Sequence, residues 1–154
     1  MTHLKAGDTA PNFSGLNEKT ETVSLADYRG KKLVLFFYPK DNTPGCTAEA
    51  CNLRDNFADL QKAGFELLGV SPDDTKKHQK FIDKFEFPFP LLADTKLETI
   101  KSYGVWGPKK FMGREYDGVH RTTFLIDENG KIMEVIQKVK TKDHSAQILD
   151  LVQH

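Results

Sequence analysis

The sequence predicts an α/β protein: a mixed central β-sheet flanked by helices, with a β-hairpin at the N-terminus. Three observations predict it. Apolar runs suited to strands buried on both faces alternate with segments of helical periodicity, the pattern of parallel strands joined by crossover helices. An Asn129-Gly130 turn between two strand-like runs adds an antiparallel pair. The length of 154 residues suits one domain, 1–154. A chain of that size buries roughly 70% of its unfolded surface and needs no disulfide or metal to hold a core.

The elements follow in order. Turn formers (Gly7-Asp8, Pro11-Asn12, Gly15, Asn17) surround two short segments, residues 12–16 and 21–25, read as the N-terminal hairpin. Residues 32–38 are continuously apolar after Lys32 and rich in branched and aromatic side chains, as a fully buried strand requires. Thr43 is a good N-cap and Pro44 stands at the first helical position, so a helix is expected over 44–62. Its inward stripe is Ala50, Leu53, Phe57 and Leu60, and Gly64 ends it.

Residues 65–71 make a second strand. Asp73-Asp74 caps the next helix, which carries His78, Phe81, Ile82 and Phe85 on one face until Phe87-Pro88-Phe89-Pro90 breaks it. A short strand at 91–93 and a short helix at 97–103, closed by Gly104, precede a long loop over 105–120. Residues 122–127 and 131–136 form the C-terminal hairpin, and Asp143 caps a last helix bearing Ile148, Leu149, Leu151 and Val152.

Composition narrows the function. Charged residues are 29% and hydrophobic ones 38%, as in a soluble globular protein. The 22 basic and 22 acidic residues cancel, so there is no electrostatic case for nucleic acid or an anionic membrane. No apolar run approaches the length of a membrane span, and Met1 to Asp8 lacks the core of a signal peptide. The expected location is the cytoplasm. There, two nearby cysteines are more often catalytic or metal-binding than a structural disulfide.

Cys46 and Cys51 are those two. With Thr43 as N-cap, Cys46 is the third helical residue, near unpaired N–H groups and the positive end of the helix dipole. Both favour a thiolate. Cys51 is five residues on, a rise of about 7.5 Å and a turn of about 140°. The Cα atoms of an intact helix would then be about 8.7 Å apart, beyond the roughly 7 Å a disulfide tolerates. Either the two are unrelated, or the first turn unwinds; Pro44 and Gly45 make it easy to lose. The bland alternatives are a buried cysteine acting as a small apolar residue and a packed, hydrogen-bonded His78. A metal site is disfavoured: Cys-x4-Cys on one helix is poor zinc spacing, and the other candidates, His3, His78, His120, His144 and His154, are scattered.

Pro39-x-x-x-Thr43-x-x-Cys46 resembles the active-site signature of the peroxiredoxins. The string Phe37-Tyr38-Pro39-Lys40-Asp41 through Cys46-Thr47-Ala48-Glu49-Ala50-Cys51 is similar to the bacterioferritin-comigratory, or Q-type, subfamily. So are blocks from Leu4-x-x-Gly7-Asp8 through Phe89-Pro90-Leu91-Leu92-Ala93-Asp94 to Arg121-Thr122-Thr123-Phe124. The resemblance implies a thioredoxin-like fold. It implies that Cys46 attacks hydrogen peroxide or an alkyl hydroperoxide and becomes a sulfenic acid, which Cys51 resolves as an intramolecular disulfide. A thioredoxin-type reductant would restore the thiols, without metal or organic cofactor.

In the same resemblance Thr43 bonds the sulfur and the peroxide, Pro39 shields the pocket, Arg121 supplies the cation and Glu49 orients it. The subfamily suggests a monomer. The two-cysteine inventory leaves no third cysteine near the C-terminus, and without an extended arm Cys46 is expected to resist over-oxidation. A thioredoxin-like disulfide oxidoreductase is disfavoured because the spacing is not Cys-x-x-Cys. A redox-sensing binding module stays open.

Overall fold

A computed structural model describes residues 1–152. The N-terminal hairpin is present: β1 (Ser14–Asn17) pairs antiparallel with β2 (Thr22–Ser24). The Asn17 side chain builds the turn, its Oδ1 accepting the Lys19 and Glu21 N–H groups at 2.9 and 3.0 Å. Leu25–Tyr28 is a 3-10 turn and leads into β3 (Lys32–Phe37). This strand is buried on both faces, as its apolar run demands. Val34 and Phe36 enter one core cluster while Leu33, Leu35 and Phe37 enter the other.

The expected helix over 44–62 is two helices, α1 (Pro44–Asp55) and α2 (Phe57–Lys62). Asn56 breaks it, with ψ at 18° and its Nδ2 donating to the Asn52 carbonyl at 2.9 Å. An Asn side chain that bonds nearby backbone competes with the helical ladder. Thr43 takes the N-cap position but does not cap with its side chain; its hydroxyl donates to the Lys40 carbonyl at 2.8 Å.

Next come β4 (Phe65–Ser71), α3 (Thr75–Phe85), β5 (Leu91–Ala93) and α4 (Glu98–Ser102). Of the expected acidic cap, Asp74 alone caps α3, accepting the Lys77 N–H at 2.9 Å. Asp73 turns inward and accepts from the Ser71 hydroxyl and the Asp41 N–H at 2.7 and 2.8 Å.

Residues 105–120 are not a loop. They form a separate two-stranded ribbon, β6 (Trp106–Phe111) against β7 (Arg114–Val119). Met112 and Gly113 turn it with φ of 52° and 78°, the conformation that a two-residue hairpin turn needs. The ribbon is largely exposed on both faces, so it carries no apolar alternation, and Met-Gly is not the usual turn pair.

The C-terminal hairpin, β8 (Thr122–Ile126) and β9 (Ile132–Ile136), forms as expected, and α5 (His144–Val152) ends the described chain. Asp143 precedes α5 with its carbonyl on the Gln147 N–H. The N-terminus of α5 is also capped from α1, where Asn52 Oδ1 accepts the Ser145 N–H at 2.8 Å.

The main sheet runs β2-β1-β5-β4-β3-β8-β9, with β3, β4 and β5 parallel and the other neighbours antiparallel. Side chains of α1, α2, α3 and α5 pack on one face; α4, the 3-10 turn and the Ala10–Phe13 segment cover the other. No helix of the described residues is long and apolar enough to cross a membrane.

Packing at the sheet centre leaves no room for a Cβ on Gly69, which would sit 2.7 Å from both Leu91 Cδ2 and Phe36 Cζ. Gly69→Ala is expected to cost about 1–3 kcal/mol through overpacking, read as a lower urea midpoint of the reduced protein. An unchanged midpoint would show that the neighbouring side chains yield.

Candidate active site

The site is built where β3 ends. Tyr38, buried beyond the strand, starts a loop of Pro39, Lys40, Asp41, Asn42 and Thr43 that delivers the chain to α1. A buried polar network holds the loop. Asp41 Oδ1 accepts from the Tyr38 hydroxyl at 2.6 Å, and Asp41 Oδ2 lies 2.6 Å from His78 Nδ1. The second ring nitrogen of the fully buried His78 lies 3.0 Å from the Leu92 carbonyl. His78 is thus the packed, hydrogen-bonded residue expected from its place on an apolar stripe. Burial and the neighbouring Asp41 push the Tyr38 phenol well above its ordinary range. Pro39 is half-buried in this loop.

Cys46 is the third residue of α1 and only 2% exposed. Arg121 reaches it from the turn between β7 and β8. Its Nη2 donates to Cys46 Sγ at 3.3 Å and its Nη1 to Glu49 Oε1 at 2.7 Å. Gly45 makes this approach possible, since a Cβ there would stand 3.1 Å from Nη2. Of the residues singled out in the sequence, Cys46, Arg121 and Glu49 therefore meet. Thr43 is three residues away at the helix start, with its hydroxyl proton on Lys40. Cys51 sits on the same unbroken helix, both cysteines are free, and burial pushes the Cys51 thiol up.

The charges are coupled. Burial drives the Glu49 carboxyl up to about 7, against the opposing pull of Arg121. Burial also disfavours the Arg121 charge, but Glu49 and then Cys46 outweigh it and raise the guanidinium further. Lys109, on β6, feels the same field: burial and repulsion from Arg121 lower its pKa, Cys46 pulling the other way. Its Nζ donates to the Val119 carbonyl at 2.9 Å. A cleft of about 360 Å³ opens beside Arg121, lined also by Met1, Lys109, His120, Gln137 and Lys138.

Two contributors had no sequence signal. Lys109 lies in the stretch expected to be a loop. His144 counted only as a scattered metal candidate, yet its Nε2 stands 3.6 Å from Glu49 Oε2, and burial lowers its pKa to about 4. His154 lies outside the described residues.

A buried sulfur at a helix start, with a guanidinium N–H aimed at it, is built for nucleophilic attack rather than for packing. Fold and site together define a thiol peroxidase. The chain belongs to the AhpC/TSA family, whose model matches residues 6–135, and within it to the Bcp or Q-type peroxiredoxins. It is 47% identical to peroxiredoxin Bcp of Escherichia coli K12, over 97% of this chain and 96% of the relative. It is 45% identical to peroxiredoxin Bcp of Bacillus subtilis, over 95% and 93%. Among solved structures, a cysteine-to-serine variant of PrxQ from Xylella fastidiosa superposes with a TM-score of 0.92 at 32% identity, covering 99% of this chain and 98% of that one. Peroxiredoxin Q of Xanthomonas campestris gives 0.85 at 33%, over 92% and 89%. The expected thioredoxin-like fold holds.

The buried pair gives a pH signature. Glu49 ionises near 4.5 unfolded and near 7 folded, so its support for the fold is complete below about 4.5 and is lost as pH rises through about 7. His144 runs the other way: its contribution is present above 6.5 and lost as pH falls toward about 4. The stability of wild type relative to Glu49→Gln is therefore expected to fall between about pH 4.5 and about pH 7 and then level off. Urea unfolding of the reduced proteins at several pH values measures this. A difference that stays constant across the window would contradict the buried carboxyl argument.

Proposed function

We propose that the chain, as one domain, reduces hydrogen peroxide and alkyl hydroperoxides through Cys46, with Cys51 as the resolving thiol and a thioredoxin-type protein as reductant. One observation carries the reading: the guanidinium N–H of Arg121 aimed at the buried sulfur of Cys46. The thiolate attacks one peroxide oxygen and the O–O bond breaks. Water or alcohol leaves, taking up the peroxide's proton, and the sulfenate that remains takes a proton from solvent to become the sulfenic acid. Arg121 steadies both the thiolate and the charge developing on the departing oxygen.

Glu49 orients the guanidinium. Thr43, at the helix start, bonds the sulfur and the incoming peroxide once its hydroxyl turns from Lys40, and Pro39 keeps water from the pocket. The Cys51 thiol then displaces water from the sulfenic acid to form an S–S bond, which a dithiol reductant opens by exchange. The intact α1 requires its first turn to unwind before that bond can form. The protein would act as a cytoplasmic monomer. Alkyl peroxide reduction by the Xanthomonas campestris bacterioferritin comigratory protein supports the organic substrates.

Rapid-mixing oxidation by one equivalent of peroxide tests the scheme. Cys46→Ser is expected to consume none. Arg121→Ala is expected to slow the first oxidation by about 10²- to 10³-fold, the cost of removing one preorganised donor; an unaltered rate refutes its role. Cys51→Ser is expected to keep the first oxidation and lose cycling with thioredoxin. A non-reducing peptide map of the oxidised wild type is expected to join Cys46 to Cys51.

A further inference from the structure

We propose that His144 is a positioning residue of the Cys46 site: acting on the second oxygen of Glu49, it keeps the first on Arg121, and the two side chains hold one exchangeable proton between them. The proposal rests on the peroxidase reading of Cys46.

The starting point is an unpaired atom. Glu49 is fully buried, and its Oε2 is the one buried side-chain oxygen or nitrogen among the described residues without a hydrogen-bond partner. A buried carboxylate oxygen with no donor is costly. His144 Nε2 is 3.6 Å away, on a ring that is also fully buried. The other contacts of that ring restrict its protons. Nδ1 lies 2.9 Å from Gln147 Oε1, an acceptor in this orientation, so Nδ1 carries a hydrogen. Nε2 lies 2.8 Å from Thr123 Oγ1, which donates to a bare nitrogen or accepts from a protonated one. Thr123 can match the ring in either state, but Nε2 offers a single lone pair or hydrogen, so Thr123 yields it when Oε2 engages.

Oε2 can be relieved in two ways. A proton on Oε2 can point to Nε2, or a proton on Nε2 can point to Oε2. Either way one proton lies between Glu49 and His144, the pair is neutral, and the Arg121 charge is left to the sulfur. When that proton is lost the pair carries one negative charge and competes with Cys46 for the guanidinium. The titratable and charged groups facing the carboxyl are Arg121 from the β7–β8 connection, His144 from α5 and Cys46 from α1, with Lys109 of β6 next to Arg121. Burial, which drives Glu49 up to about 7, puts the loss of the proton near neutral pH.

The test is the second-order rate of Cys46 oxidation by hydrogen peroxide between pH 5 and 9, in single turnovers, divided by the rate of Glu49→Gln under the same conditions. The ratio cancels the titration common to both proteins. For wild type it is expected to fall through a midpoint near the Glu49 value of about 7. His144→Leu removes the nitrogen that shares the proton and takes no donor from the ionised carboxyl, so the midpoint is expected to move down and the low-pH rate to drop by roughly tenfold through misplacement of Arg121. His144→Gln offers an amide N–H to Oε2; it is expected to restore the rate and move the midpoint down. A rate lost in His144→Leu and restored in His144→Gln is not produced by mere loss of packing. If His144→Leu does not fold, the downward shift in His144→Gln carries the test alone. A ratio that does not vary with pH in wild type, or a midpoint that His144→Gln leaves in place, overturns the role of His144. Wild type that consumes no peroxide at all overturns the peroxidase reading, and this proposal with it.

Discussion

The guanidinium of Arg121 must serve two acceptors at once, the sulfur of Cys46 and the carboxyl of Glu49, and the geometry around the site follows from that demand. Cys46 and Glu49 are three residues apart on α1, so their side chains share a face and can meet one cation. The sheet brings that cation. In the antiparallel pairing of β3 with β8, Phe37 stands opposite Thr122, which puts Arg121 just past the end of β3. The chain leaves β3 there, rounds the loop pinned by Asp41 and His78, and starts α1 over the same point. A glycine at position 45 keeps the helix out of the guanidinium's way.

Much of this was legible in the residues, because it depends on local rules. Branched and aromatic residues without a polar break after Lys32 mean a strand buried on both faces, and β3 is one. A helix opening on Pro44 puts Cys46 in its first turn whatever the tertiary structure does. The errors have physical reasons too. The ribbon of β6 and β7 buries neither face well, so it has no period to detect, and its turn uses Met112-Gly113. The break at Asn56 depends on one side-chain bond to the Asn52 carbonyl, which the apolar stripe of Leu53, Phe57 and Leu60 does not reveal.

The site was legible only up to its own helix. Arg121 meets Glu49 across 72 positions of sequence and Cys46 across 75, and no periodicity or spacing links them. It was the family resemblance that picked out Arg121 from among 22 basic residues. His144 had no such help. Its environment is assembled from α5, β8 and α1 together, and its chemistry depends on burial, a property of the fold and not of the residue.

The same helix must also come apart if Cys51 is to reach Cys46. Glu49 lies between the two cysteines, so the unwinding that joins them lifts the carboxyl away from Arg121. Attack and resolution are then mutually exclusive states of one segment. Two anchors set its limits. Before Cys46, the Asp41 carboxyl is held by Tyr38 and His78, and its N–H by Asp73. After Cys51, the Asn52 side chain accepts from the Ser145 N–H and donates to the Lys142 carbonyl at 3.1 Å, pinning α1 to the start of α5. Between these anchors stand Pro44 and Gly45, which give little to helix stability. The cheapest unwinding is therefore confined to residues 44–51, the stretch that carries both thiols, while the sheet, α3 and α5 keep their places.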